Sequence, residues 1–175
     1  MGGTVRRFAL DQNFPDTILP LLEESIPEAV LVPLRKIDVR LVKDVDDWEI
    51  LHALYHHAGA WDGMITTDTA MLKLPRELAV LKQTKLTLIA TDRAGNDPLR
   101  AAGLLMTHLP HVCKNSRKDL AQVWLLSATQ KNHDDPWAHL EKLAARANTA
   151  PVAFFDKFCL SESQLATNPL PPDND

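Results

Sequence analysis

Short apolar runs recur along the chain, and each is followed by polar or turn-forming residues. Runs of this length, rich in β-branched residues and bounded by turn signals, predict buried β-strands. Five segments have this character: Arg7–Asp11, Ala29–Leu34, Gly63–Asp68, Lys85–Thr91 and Gln122–Ala128. A further stretch, Val39–Val42, either extends the sheet or forms a connecting loop.

The segments between these runs predict helices, because their apolar residues return every three or four positions. The first helix is expected to begin at Pro15 or Asp16 and to stop at Pro27. The other predicted helices follow Asp47, span Met71–Leu81 despite Pro75, run from Pro98 beyond Pro110, and cover Trp137–Ala147. Alternating strands and helices imply right-handed crossovers, so the sequence predicts an α/β fold with a mostly parallel sheet of about five strands, covered on both faces.

The length of 175 residues fits one domain, which we assign to residues 1–160. Residues 161–175 contain too few apolar side chains to pack and are expected to form a disordered tail. The composition, 45% hydrophobic and 24% charged, is that of an average globular protein. A formal net charge of -4 gives no strongly basic face for tight, non-specific binding of nucleic acid.

The two cysteines, Cys113 and Cys159, lack the spacing of a zinc site and are expected to be reduced thiols. No apolar stretch approaches the roughly 18 residues that a membrane span requires. The N-terminal residues also lack the features of a signal peptide. The sequence therefore predicts a cytoplasmic protein that does not enter the membrane.

Aspartates stand at the ends of three predicted strands, at Asp11, Asp68 and Asp92, and Asp47 lies in the first turn of a predicted helix. In open parallel sheets, ligands bind outside the carboxyl ends of the strands, near the point where strand order reverses. Carboxylates gathered there repel one another unless a cation or a basic group neutralises them. Oxygen ligands favour Mg²⁺ or Mn²⁺, which activate water and stabilise charge on a phosphoryl group. Aspartate is also an ordinary turn former and helix cap, and that interpretation of each acid stays open.

Three motifs occur in a characteristic order: Phe8–Pro15, which contains Asp11-Gln-Asn13, then Asp47–Leu51, then Met64–Asp68. Together they resemble the PIN-like domains related to bacterial toxin ribonucleases. In those families a first strand ends in an Asp-x-Asn-like motif, an acid opens a later helix, and a third acid follows an apolar strand within Thr-x-Asp. The resemblance covers roughly residues 5–91, and the rest of the chain agrees in pattern only.

The resemblance implies a PIN-like three-layer α/β/α fold and a metal-dependent endoribonuclease. Asp11, Asp47 and Asp68 match the acidic metal ligands and catalytic residues, and Asn13 is expected to orient metal-bound water or a phosphate oxygen. The implied cofactor is Mg²⁺ or Mn²⁺, and the implied substrate is RNA. The family also implies the toxin half of a toxin–antitoxin pair, with an antitoxin protein as partner, and leaves a homodimer open.

The chain departs from the family pattern at Ala70, where relatives often carry another acid. Asp92 is the candidate for this fourth metal ligand, whereas Asp62 precedes a strand and is expected at the opposite edge. The missing acid and the negative net charge favour an alternative, a catalytically inactive PIN-like module that binds RNA or a protein. A small-molecule phosphohydrolase ranks last, because the chain lacks the expected Asp-x-Asp nucleophile arrangement.

Other side chains with binding chemistry have an ordinary structural interpretation. Two groups could hold a metal: His52, His56 and His57, and His108, His111 and Cys113. Neither has a complete zinc motif, so both are expected to be ordinary helix residues. The tryptophans Trp48, Trp61, Trp124 and Trp137 either stack bases or, more commonly, belong to the core. The basic residues near the acidic edge either contact a nucleic-acid backbone or solvate the surface: Arg35, Lys36, Lys73, Arg76, Arg93 and Arg100.

Overall fold

The computed structural model describes residues 5–170. This range contains six strands: β1 (Arg6–Leu10), β2 (Ala29–Pro33), β3 (Gly63–Thr66), β4 (Thr87–Thr91), β5 (Gln122–Leu126) and β6 (Lys131–Asp134). It also contains eight α-helices: α1 (Leu19–Ser25), α2 (Leu34–Ile37), α3 (Asp47–His56), α4 (Pro75–Thr84), α5 (Pro98–Asn115), α6 (Pro136–Arg146), α7 (Pro151–Phe158) and α8 (Glu162–Ala166). Short 3₁₀ helices occur at Asp16–Ile18, Val39–Val42 and Ala70–Lys73.

The strands form one sheet in the order β2-β1-β3-β4-β5-β6, in which β1 to β5 are parallel and β6 is antiparallel to β5. The predicted α/β class and mostly parallel sheet are therefore confirmed. The count of about five strands is too low, since residues 5–170 contribute six. Strand β6 was not predicted because its residues, Lys-Asn-His-Asp, are all polar and exposed, without the apolar alternation of a half-buried strand.

Helices cover both faces of the sheet, as in a three-layer α/β/α fold. Successive side chains of a strand point to opposite faces. Phe8 and Leu10 of β1 accordingly join an apolar cluster with α1 and α5, and Ala9 joins a second cluster with α3 and α4. Helices α6 and α7 pack outside α4 through a third cluster that contains Leu140 and Phe154.

Two segments differ from the predicted elements. The helix expected over Met71–Leu81 is divided into the 3₁₀ helix at Ala70–Lys73 and α4, which begins at Pro75. Proline is favoured at the first helical position because its missing N–H would have no helical partner there. Val39–Val42 forms a 3₁₀ helix and does not extend the sheet.

The prediction of a disordered tail is wrong for residues 161–170, which form α8 and pack against α3. Nε2 atoms of His52 and His56 lie 3.2 Å and 2.7 Å from the carbonyl oxygen of Leu165. Because a carbonyl oxygen only accepts hydrogen bonds, each of these nitrogens carries a hydrogen. Leu165 and Leu170 also pack against the cluster beneath α3. The remaining part of the predicted tail, residues 171–175, lies outside the described residues.

The two cysteines are free, as expected, and burial raises the pKa of the Cys113 thiol to about 12. Such a thiol stays protonated and unreactive at neutral pH. Across residues 5–170, every helix is either too short or too polar to cross a membrane.

Candidate functional site

The order of the strands reverses next to β1, which lies between β2 and β3. Asp11 directly follows β1, and its backbone N–H donates to the carbonyl oxygen of Ile65 in β3 at 3.0 Å. Asp68 follows β3 after one intervening residue, Thr67. Both acids therefore lie at the carboxyl edge of the sheet, where the reversal opens a crevice for ligands.

Hydrogen bonds connect Asp11 with the loop that carries Asp68. Oδ2 of Asp11 accepts from Oγ1 of Thr66 at 2.9 Å and from Nδ2 of Asn13 at 3.1 Å. Oγ1 of Thr66 in turn accepts from the backbone N–H of Asp68 at 2.9 Å. Oδ1 of Asp68 then accepts from the backbone N–H of Ala70 at 2.7 Å. This chain of bonds fixes the orientation of the Asp11 carboxylate and gives Asn13 a contact with the predicted site.

Asp47 enters the site from the first turn of α3. The preceding residue, Asp46, forms a capping box with Glu49, whose Oε2 accepts from the Asp46 N–H at 2.9 Å, so the start of the helix is well defined. Burial raises the pKa of Asp47 to about 6, and the negative charges of Asp11 and Asp68 contribute to the same shift. The structure therefore brings together Asp11, Asp47 and Asp68 within electrostatic reach of one another.

A fourth acid near Asp47 is Glu77, in the first turn of α4, which the sequence analysis did not identify. Glu77 is only 8% exposed. Burial raises its pKa, as does the charge of Asp46, and Glu77 itself contributes to the raised pKa of Asp47. The available sequence signal was weak, because an acid in the first turn of a helix, just after proline, is common for helical reasons alone.

Asp92 and Asp62 lie in different surroundings. The backbone N–H of Asp92 donates to the carbonyl oxygen of Leu126 at 2.7 Å, and its Oδ2 lies 3.7 Å from Nε of Arg93. Asp92 is not among the principal charges acting on Asp47, so Glu77 is the better placed fourth acid. Asp62 lies at the opposite edge, as expected, where Nη1 of Arg6 donates to it at 2.9 Å.

Compared with known proteins, this chain matches no protein family, no curated protein and no solved structure.

The carboxylates suit a hard cation in chemistry, but their present arrangement is not a coordination sphere. Only oxygen donors are offered, the preferred ligands of Mg²⁺ and Mn²⁺. Nevertheless, within residues 5–170 no three His, Cys, Asp or Glu side chains are grouped so as to hold a metal ion. One oxygen of Asp11 is already engaged by Thr66 and Asn13. A polar cavity of about 450 Å³, lined by Asp11, Asp46 and Asp47 among others, leaves space for an ion and a substrate group beside them.

The histidines have structural partners instead of metal-binding ones. His52 and His56 hold the Leu165 carbonyl, and Nδ1 of His57 accepts from Nε1 of Trp61 at 3.0 Å. Nε2 of His108 lies 2.9 Å from the carbonyl oxygen of Ser127. These contacts agree with the interpretation of the histidines as ordinary helix residues.

Some of the tryptophans belong to the core, whereas one tryptophan and one arginine lie next to the acidic residues. Trp124 and Trp61 are buried, whereas Trp48, next to Asp47, is half-buried. The guanidinium of Arg76 lies 4.6 Å from the centre of the Trp48 ring, and Arg35 forms an ion pair with Asp16. Of the basic residues flanking the acids, Arg76 is thus the one tied to a neighbour of Asp47.

Proposed function

We propose that this protein is a PIN-like endoribonuclease that depends on Mg²⁺ or Mn²⁺. The observation that carries the proposal is the convergence of Asp11, Asp47 and Asp68, from three separate segments, at the strand-order reversal of a parallel sheet. The charges of Asp11 and Asp68 add to the burial that raises the pKa of Asp47, and a divalent cation would stabilise carboxylates crowded in this way. The same three acids, with Asn13, carry the resemblance to the PIN-like family.

Asp11, Asp47, Asp68 and Glu77 are the residues that would hold the cation. When bound, the cation would lower the pKa of water and stabilise charge on the phosphodiester. Hydrogen bonds from Thr66 and Asn13 orient Asp11, and the raised pKa of Asp47 marks a carboxylate whose negative charge a bound cation would stabilise. The proposal requires Asp11 to bind the ion through the oxygen that Thr66 and Asn13 do not engage, and the other acidic side chains to turn toward the ion.

The first test measures cleavage of a labelled RNA by the purified protein with Mn²⁺, alongside Asp11→Asn and Asp68→Asn. Each substitution removes a charged ligand, so we expect activity to fall by about 100-fold or more. Asp156→Asn, in α7, serves as a matched control because Asp156 is exposed and is not among the charges that act on Asp47. Equal activity in all four proteins would refute the mechanism.

A second comparison decides which residue is the fourth acid. Glu77→Gln is expected to reduce both Mn²⁺ affinity and cleavage, because Glu77 lies within electrostatic reach of Asp47. Asp92→Asn is expected to leave both nearly unchanged, since its carboxylate pairs with Arg93. If Asp92→Asn reduces Mn²⁺ affinity and cleavage while Glu77→Gln does not, Asp92 is the fourth acid.

Within this proposal, the protein acts as the toxin of a toxin–antitoxin pair in the cytoplasm. Its substrate is RNA and its partner is an antitoxin protein. Support would come from an antitoxin-like or small helix-turn-helix gene beside this one. Production of the chain in bacteria is then expected to arrest growth, and Asp11→Asn is expected to relieve the arrest. Growth arrest that persists with Asp11→Asn would contradict a nuclease toxin.

The second candidate function is a catalytically inactive PIN-like module that binds RNA or a protein. It is favoured by Ala70 and by the lack of a three-ligand group within residues 5–170. Calorimetric titration with Mn²⁺ separates the two functions. No binding at millimolar Mn²⁺, together with no cleavage, would support the inactive module.

A further inference from the structure

A groove of about 340 Å³ lies between the start of α3 and the chain that follows α7. Trp48, Leu160 and Pro169 give it an apolar lining, and Glu49, Gln164 and Thr167 add polar groups. Part of this lining belongs to residues 161–170, which are held on α3 by the hydrogen bonds of His52 and His56 to Leu165. The groove therefore exists because the C-terminal segment is folded against α3.

Trp48 in the groove and Arg76, which contacts it, are each adjacent in sequence to an acidic residue of the site. Trp48 follows Asp47, and Arg76, which lies over the Trp48 ring at 4.6 Å, precedes Glu77. Nη1 of Arg76 also donates to the carbonyl oxygen of Phe158 at 3.1 Å, which fixes the guanidinium at the end of α7. The indole ring is thus held at a defined position at the start of α3, the helix whose first residue is Asp47.

We infer that this groove binds one unpaired base of the RNA substrate, stacked on Trp48. The inference rests on the proposed function, because it names how that site would hold its substrate. A base has apolar faces and polar edges, which match the apolar lining and the polar groups of the groove. Unstacked bases are commonly held on aromatic rings and arginine planes, and stacking tolerates any base.

The size of the groove favours a base over a helix of a protein partner. A cavity of this volume lies at the lower end of the range of roughly 300–1,000 Å³ for small-ligand sites. An α-helix about 10–12 Å across with its side chains would not enter it. The Glu49 carboxylate in the lining repels a nearby phosphate, and the positive charge of Arg76, which lies over the Trp48 ring, offsets that repulsion.

The test measures binding of a fluorescein-labelled single-stranded RNA hexamer in EDTA, so that no cleavage is required. Trp48→Ala is expected to weaken binding about ten-fold, and Trp48→Phe to retain most of it, because phenylalanine still offers a ring face. Tyr55→Ala is the matched control, since Tyr55 is an exposed aromatic at the far end of the same helix. Thermal unfolding of each variant verifies that it is folded.

A hexamer series in which one nucleotide at a time is abasic isolates the stacking contact. The wild-type protein is expected to lose about ten-fold in affinity for one abasic position, and Trp48→Ala to lose nothing further there. Equal abasic penalties in both proteins, or unchanged binding by Trp48→Ala, would overturn the inference even if the protein cleaves RNA. Conversely, the protein could bind the abasic hexamers as expected and yet cleave no RNA. Such a result would support the groove as a base-binding site and refute the proposed enzyme.

Discussion

Replacing Asp47 by asparagine is expected to stabilise the folded protein at neutral pH while removing a proposed metal ligand. Burial and the charges of Asp11 and Asp68 raise the pKa of Asp47 from 3.8 to about 6. A carboxyl group whose pKa is higher in the folded state than in the unfolded state favours folding while it is protonated. That contribution is fully present below about pH 4 and is lost as the pH rises through about 6.

The size of the effect follows from the shift of the pKa. Two pKa units correspond to about 3 kcal/mol, at about 1.4 kcal/mol per unit. Asp47 is only half-buried, so solvent screening reduces this to about 1–2 kcal/mol. Asparagine also loses the favourable interaction of a negative charge with the start of α3, about 0.3–1 kcal/mol. We therefore expect Asp47→Asn to raise the free energy of unfolding by about 1 kcal/mol at pH 7.5.

Urea unfolding followed by tryptophan fluorescence at pH 4 and pH 7.5 measures this difference. The matched control is Glu162→Gln, because Glu162 is an exposed acid in the first turn of α8, outside the acidic edge. Glu162→Gln is expected to change stability by the helix-terminus effect alone. If Asp47→Asn gives the same difference at both pH values, or destabilises at pH 7.5, burial and the neighbouring charges do not raise the pKa of Asp47 as inferred.

Three further predictions concern the scaffold. Gly63→Ala is expected to lower the free energy of unfolding by about 3 kcal/mol, visible in thermal melts, because an added Cβ would lie 1.7 Å from the carbonyl oxygen of Thr87. Arg6→Ala is expected to cost about 1–2 kcal/mol in urea titrations, since it removes one partner of the buried Asp62 carboxylate and leaves the Arg7 N–H and Lys118. Arg117→Ala, at an exposed ion pair, is expected to cost less than Arg6→Ala. Replacing His52 and His56 together by alanine is expected to release residues 161–170 from α3, which limited proteolysis would detect as faster cutting after Leu160. An unchanged rate of proteolysis would show that apolar contacts alone hold the segment.

The parallel strands β1, β3, β4 and β5 were predictable because most of their residues are buried on both faces of the sheet. Strands of this kind are continuous apolar runs in the sequence, and Phe8, Ala9 and Leu10 of β1 are fully buried. The gathering of Asp11 and Asp68 followed from the same pattern, because the carboxyl ends of parallel strands share one edge. The place of Asp47 followed from its position at the start of a helix.

Two features that were not predicted, the position of Glu77 and the folded segment after Leu160, depend on tertiary contacts between distant segments. Glu77 reaches the acidic edge from a helix, and only the packing of α4 against α3 determines which of its residues faces Asp47. The segment after Leu160 is polar in composition, yet two histidines more than 100 positions earlier bind one of its carbonyl oxygens. Neither relationship leaves a periodic signal in the sequence.

The polar strand β6 affects how the protein behaves when it is concentrated. An edge strand presents unpaired N–H and C=O groups on which a strand of another molecule can add, and apolar edge strands are therefore sites of aggregation. All four side chains of β6 are polar and exposed, including a lysine and an aspartate. Addition of a further strand would bring these hydrated side chains against a neighbour and remove water from them. The polar residues that leave β6 without an apolar pattern thus protect this edge of the sheet against the addition of strands from other molecules.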